Sequence, residues 1–285
     1  MRNHIWYVTI DDQDDCLLER NRHLRNLTRL QTIARSVDIE VQQIWMANLT
    51  DALLEEENLL GLFASGSFSE WFTYDSKPVW AAQLDRYCEQ IRTTHVPILA
   101  VCGSHQLMMR AFGDWDSVGH MAAAGEEAVS AAEEMRQQRL LIPQPRIGEV
   151  GDFPLRICPQ QRSDPLLEGL PDPVWLVQYH RDQGMPGRHP AFVPLMEPAL
   201  DVNPRYHLPD EPARDGRYGH LNPLQPEERC AVQTLRLQAP DRVLYSMQCH
   251  PELPALVDSS IDWQSERLLL NFFQIARRYW DQKSV

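Results

Sequence analysis

Cys102 stands at the end of an unbroken apolar run, Val96-Pro97-Ile98-Leu99-Ala100-Val101, and just ahead of Gly103-Ser104-His105-Gln106-Leu107-Met108. A short continuous apolar run of this kind reads as a strand buried on both faces, and Leu107, Met108 and Phe112 carry the chain on as a helix. A nucleophile on a sharp strand-to-helix turn needs small residues two positions to either side, because bulk there collides with the turn. Ala100 and Ser104 meet that need. The helix N-terminus would also present N–H groups and a dipole that favour the thiolate. A cysteine nucleophile further requires a base to take its proton and a third group to orient that base. Tyr245-Ser246-Met247-Gln248-Cys249-His250-Pro251-Glu252 supplies both at the end of another strand. The spacing of His250 and Glu252 lets the carboxylate hold the ring nitrogen that faces away from the thiol. Each fragment alone has a plainer reading, a strand-end structural cysteine or a surface His-x-Glu. Together they point to a cysteine nucleophile with its base and the group that orients that base.

With both segments in view, the chain resembles the class I glutamine amidotransferases, a Cys-His-Glu family that hydrolyses the side-chain amide of glutamine. The family elbow P-[IV]-L-G-[IV]-C-x-G-H-Q-L is similar to Pro97 through Leu107, and its Q-F-H-P-E strand end to Gln248 through Glu252. Weaker likenesses are spread along the chain. The S-G-G-P-G-S loop is similar to Ser65-Gly66-Ser67-Phe68-Ser69, an E-[IYV]-G turn to Glu149-Val150-Gly151, and S-H-x-D to Tyr179-His180-Arg181-Asp182. Asp164-Pro165-Leu166-Leu167-Glu168-Gly169-Leu170-Pro171 resembles the family's approach to that last segment.

The resemblance implies that Cys102 attacks the glutamine amide carbon, that His250 moves the proton to departing ammonia and that Glu252 holds His250. It implies backbone oxyanion donors at Gly103 and in the Gly66-Ser67 loop, and substrate contacts from Gln106 and from the backbone near Tyr179 and His180. His105 and His180 are expected to be structural. The departures leave substrate identity open. Ala100 and Ser104 replace two family glycines, Ser67-Phe68 replaces Gly-Pro, and Tyr179 stands where a small serine is usual. A side chain at Ser67 would hinder the peptide flip by which some members form the oxyanion hole.

Strands are expected over Ile5 to Ile10, Asp38 to Met46, Leu59 to Ala64 and Val96 to Val101, alternating with helices over Leu17 to Val37 and Lys77 to Thr93. That alternation argues for an α/β fold with a mainly parallel central sheet covered by helices on both faces, which the resemblance specifies as flavodoxin-like. The second half is less regular. Short strands are expected near Pro154 to Cys158, Val174 to Tyr179, Ala231 to Leu237 and Val243 to Met247, with a closing helix over Ser260 to Trp280. Met121 to Arg139 reads as a helix with one wet face, and Met196 to Arg229, rich in proline and charge, as a loop-like insertion. The expectation is a single domain over residues 1–285 with insertions at about 114–145 and 196–229.

Composition narrows the function classes. The 285 residues are 43% hydrophobic and 24% charged, as in globular chains. Lys and Arg number 27 against 40 Asp and Glu, a net charge of −13, which disfavours nucleic acid as a partner. No apolar run approaches the roughly 18 residues that cross a bilayer, and the early Asp11-Asp12-Gln13-Asp14-Asp15 is unlike a signal peptide; the expected location is cytoplasmic, without membrane contact. Six scattered cysteines without a CxxC pair read as free thiols. His189, His207, His220 and Cys230 match no zinc spacing, so no metal and no cofactor are expected. Three functions remain open: a glutaminase that passes ammonia to a synthetase on a separate polypeptide, a stand-alone γ-glutamyl hydrolase acting on an amine, peptide or conjugate, and a non-catalytic binding or regulatory module. The first follows from the absence of a G-x-x-x-x-G-K-[ST] loop, the second from the altered loops, and the intact triad opposes the third.

Overall fold

A computed structural model describes residues 3–12, 20–67, 77–112, 118–120, 149–180, 182–184, 192–207, 233–239 and 241–283. β1 (His4–Thr9), β2 (Glu40–Trp45), β3 (Leu59–Ala64) and β4 (Ile98–Val101) alternate with α1 (Arg20–Arg35), the short α2 (Asp51–Leu54) and α3 (Pro78–Thr93). α4 (Gly103–Phe112) follows β4 directly. The rest comprises β5 (Val118–His120), β6 (Glu149–Ile157), β7 (Val174–His180), β8 (Asp182–Gly184), β9 (Phe192–Pro198), β10 (Arg205–Tyr206), β11 (Thr234–Leu237), β12 (Leu244–Met247) and α5 (Asp262–Lys283).

Ten strands form one sheet in the order β10-β6-β9-β11-β12-β4-β3-β1-β2, with β7 on the other edge of β6. From β2 to β12 the pairing is parallel, whereas β11, β9, β6, β7 and β10 join antiparallel. The parallel half follows from composition. Every residue of β3 and β4 is buried, as a strand covered on both faces requires. One face packs Leu30 and Ala34 of α1 and Leu268, Leu269, Phe272 and Phe273 of α5. The other packs Trp80, Leu84 and Tyr87 of α3 and Leu107 and Met108 of α4. This is the expected α/β class with helices on both faces.

The expectation of a loop from Met196 needs correction at its start. β9 lies inside the sheet between β11 and β6, although Pro194 and Pro198 break its strand signal. Proline removes a ladder donor and is tolerated where pairing is interrupted. Here the register shifts between Thr234, opposite Met196, and Leu235, opposite Pro194, which leaves Leu195 as the extra residue of a bulge. β6 also begins five residues before the expected Pro154. The helix expected over Met121 to Arg139 and the 208–229 part of the insertion lie outside the described residues. No helix among the described residues is long and apolar enough to cross a membrane.

Candidate active site

β4 and β12 are hydrogen-bonded neighbours in the middle of the sheet, with Val101 opposite Met247. Cys102 follows the first strand and His250 lies just beyond the second. The Cys102 N–H donates to the Met247 carbonyl at 2.8 Å, while the Cys102 carbonyl accepts from the Gln106 N–H at 3.0 Å. One residue therefore ends the strand and starts the helix, and it does so at φ +47°, in the left-handed region that non-glycine residues rarely occupy. Ala100 and Ser104 are fully buried beside the turn. Ser104, in place of a family glycine, donates its hydroxyl to the Ser65 carbonyl at 2.6 Å and ties the elbow to the loop after β3.

His250 is held by its backbone N–H, which donates to Val177 of β7 at 2.8 Å, and by its ring. Nδ1 donates to Glu252 Oε1 at 2.7 Å, and both side chains are buried. That bond leaves Nε2, also buried, on the side of the ring away from Glu252. Burial opposes protonation of the ring, but the charges of Cys102 and Glu252 outweigh it and hold the His250 pKa well above the ordinary histidine value. His250 is thus set between Cys102 and Glu252, and both neighbours favour a proton on its ring.

The loop after β3 crosses this pair. A Cβ on Gly66 would come within 2.7 Å of His250 Cε1 and 3.1 Å of Cys102 Cβ, so a side chain there would crowd both residues. The same construction on Gly103 meets the Ser67 backbone N at 2.7 Å. The Gly103 and Ser67 backbones are thus side by side at the start of α4. The Gly66 carbonyl accepts from Ser65 Oγ at 2.8 Å. The Ser67 hydroxyl, which the sequence marked as an obstacle, donates to Asp11 Oδ1 at 2.8 Å. Asp11 Oδ2 is bonded to His23 Nε2 at 2.6 Å, and His23 Nδ1 to the Tyr7 hydroxyl at 2.8 Å. Sequence reasoning missed this buried chain. Its members come from β1, the segment after it and α1, and Asp11 reads there as one of several aspartates ahead of a helix.

Gln106 lies buried on the first turn of α4, with Nε2 donating to Gln248 Oε1 at 3.4 Å. His105 packs into the core with Nδ1 against Ser246 Oγ at 3.0 Å. Burial and the nearby His180 push its pKa down to about 3, which makes it a neutral structural group. His180 is buried against Glu149 Oε2 at 2.9 Å, and Gln233 donates to the same oxygen at 3.3 Å. Its side chain therefore braces β7 against β6. Tyr179, the next residue back, is half-buried. It lines an open cavity of about 520 Å³ shared with Glu252, Leu253 and three arginines of α1, Arg22, Arg25 and Arg29. Arg181 and Phe68 lie outside the described residues. Among the described residues Cys88, Cys102, Cys158 and Cys249 form no disulfide, and no group of three or more His, Cys, Asp or Glu could hold a metal ion.

No curated protein sequence matches the chain. Among solved structures, the chain is similar to a protein from Thermoplasma acidophilum described as a GMP synthase subunit, at 16% identity and a TM-score of 0.59, covering 100% of this chain and 99% of that one. It is also similar to the Trypanosoma brucei CTPS glutaminase domain with bound acivicin, at 13% identity and a TM-score of 0.58, over 96% and 94% of the two chains. A glutamine amidotransferase of Thermotoga maritima aligns over 100% of this chain and 86% of its own, at 12% identity and a TM-score of 0.51. At such identities these likenesses establish the fold. The family model for glutamine amidotransferase class-I matches residues 23–197, a span that includes Cys102 and ends before His250. The chain belongs to the class I glutamine amidotransferase family.

Proposed function

We propose that this chain is a cysteine-dependent glutaminase that supplies ammonia to a synthetase on a separate polypeptide. The observation that carries the reading is the buried pair His250–Glu252 at 2.7 Å beside a Cys102 held at φ +47°. In this reading the Cys102 sulfur adds to the amide carbon of glutamine, and the oxyanion lies between the Gly103 and Ser67 N–H groups. His250 then gives its proton to the nitrogen, the C–N bond breaks, and ammonia leaves a γ-glutamyl thioester. Water, deprotonated by His250, cleaves the thioester to glutamate and restores the thiol. Gln106 and the backbone at Tyr179 and His180 hold the substrate. Likeness to a CTPS glutaminase domain and to a GMP synthase subunit supports a synthetase as ammonia acceptor. We read residues 1–285 as one amidotransferase domain.

The test is glutamate release from L-glutamine by the purified protein, with Cys102→Ala alongside. Release that vanishes in the variant supports the reading. Release that persists in Cys102→Ala sinks it. A second reading, hydrolysis of a γ-glutamyl conjugate, is favoured by one observation, the open cavity that Tyr179 and Glu252 share with three arginines. Turnover of γ-glutamyl peptides that far exceeds turnover of glutamine would select it.

A further inference from the structure

In the proposed reaction Ser67 brings one half of the oxyanion hole, yet it lies beyond the end of β3, outside any strand or helix, and a donor helps only if it is fixed before the reaction begins. Three bonds fix this loop. The Ser65 N–H donates to Val8 of β1 at 2.9 Å, the Ser65 carbonyl accepts from Ser104 at 2.6 Å, and Ser65 Oγ holds the Gly66 carbonyl at 2.8 Å. A trans peptide places the Ser67 N–H opposite the Gly66 carbonyl, so holding that carbonyl aims the donor. All three bonds lie on the N-terminal side of the donor.

On the other side, the Ser67 hydroxyl is tied to Asp11. Asp11 is 2% exposed and His23 is 1% exposed, an expensive burial of polar groups unless each is satisfied. Their bonds form a consistent series. Burial keeps the Tyr7 hydroxyl protonated, with its pKa well above the ordinary value, so it can donate to His23 Nδ1. The His23 Nε2–H donates to Asp11 Oδ2, and Asp11 Oδ1 accepts from Ser67. Two carboxylate oxygens thus join a helix-borne histidine to the loop. The proposed proton transfers use none of these side chains.

We propose that Asp11, seated on His23 and Tyr7, is a positioning residue for the oxyanion hole, acting through the Ser67 hydroxyl to keep the Ser67 N–H beside that of Gly103. The proposal rests on the glutaminase reading for its catalytic consequence. Its geometric content stands without that reading.

Ser67→Ala, Ser67→Thr and Asp11→Asn provide the test, with three readouts. Displacement of a catalytic donor by about 1 Å lowers turnover on the order of 100-fold. Accordingly, Ser67→Ala and Asp11→Asn should lower kcat for glutamine about 10- to 100-fold with KM within about twofold, and Ser67→Thr should retain most of it. Alkylation of Cys102 by iodoacetamide passes through no oxyanion, and its rate should stay near wild type. Amide hydrogen exchange at residues 65–67 should quicken at least about tenfold in Ser67→Ala, while the β1 and β4 amides stay protected. Equal losses of kcat and alkylation rate would mean a damaged elbow and overturn the proposal, as would unchanged loop exchange. Should wild type release no glutamate, the glutaminase reading fails, and the exchange experiment still decides the clamp. Ser67→Ala sits at a partly exposed loop and keeps the comparison available should buried Asp11→Asn not fold.

Discussion

The charge on His250 decides the pH range in which the triad can work. Both Cys102 and Glu252 raise its pKa against the opposing effect of burial, so the ring keeps its proton to higher pH than an ordinary histidine. In the proposed reaction ammonia needs that proton to leave, so the rate should fall as pH rises through the raised pKa. Glu252→Gln removes one of the two groups that raise it, so the alkaline limb of the kcat/KM profile should move to lower pH, with the maximal rate reduced about 100-fold or more by the loss of orientation. An alkaline limb that stays in place would show that Glu252 does not set the charge. A second prediction is steric. Gly66→Ala puts a methyl group 2.7 Å from His250 Cε1 and 3.1 Å from Cys102 Cβ, so the His250 ring must shift to admit it. Its kcat/KM should drop at least about 100-fold, while the melting temperature changes by only a few degrees, as scanning calorimetry would register. The convergence of Cys102, His250 and Glu252 was legible in the sequence, because Cys102 and the pair His250 and Glu252 each sit in a short motif at the end of an expected strand. Asp11, His23 and Tyr7 were not, because a hydrogen-bonded chain across three separate segments leaves no local pattern.

Elements differ in how openly they declare themselves, and the segment that anchors Glu252 is among the least open. Asp152 in β6 is fully buried, and its carboxylate accepts from the N–H groups of Leu256, Val257 and Asp258 at 2.8, 3.0 and 2.9 Å. It thereby holds the loop that follows Glu252. Neighbouring Gly151 lies at φ +146°, where a Cβ would strike the Arg205 carbonyl of β10 at 2.2 Å, so the strand passes under β10 only as glycine. Asp152→Ala leaves three donors without their acceptor and should destabilise the protein by about 3 kcal/mol in urea unfolding. It should also lower kcat/KM through the loosened loop. Destabilisation without any change in kcat/KM would show that the loop does not brace Glu252. Glu149, Gly151 and Asp152 explain why β6 was expected to begin only near Pro154. Buried polar residues with specific partners look like a turn when only the chain is read. By contrast β3 and β4, apolar throughout, were placed within two residues, and β9 was hidden by Pro194 and Pro198 at a bulge.

Across the whole molecule, the spacing of nucleophile and base belongs to the sheet. Cys102 and His250 follow adjacent parallel strands, and the register Leu244–Ile98 through Met247–Val101 fixes how far apart they emerge. The His250 N–H is anchored in turn to Val177 of β7, in the antiparallel half that carries Tyr179 and His180. The helices on either face contribute stability by burying apolar surface against this sheet, and α5 does so against β3 and β7. A core truncation in α5 should therefore separate stability from catalysis. Leu268 is fully buried between α5 and the sheet, and Leu268→Ala should destabilise by about 3 kcal/mol, a large share of the roughly 5–15 kcal/mol typical of a folded domain. Measured well below its melting temperature, the folded fraction should retain kcat within about threefold, because the backbone ladder between β4 and β12 is untouched. Urea unfolding gives the first quantity and active-site titration with steady-state kinetics the second. A kcat that falls tenfold or more in fully folded protein would mean that helix packing, and not strand register, sets the distance from Cys102 to His250.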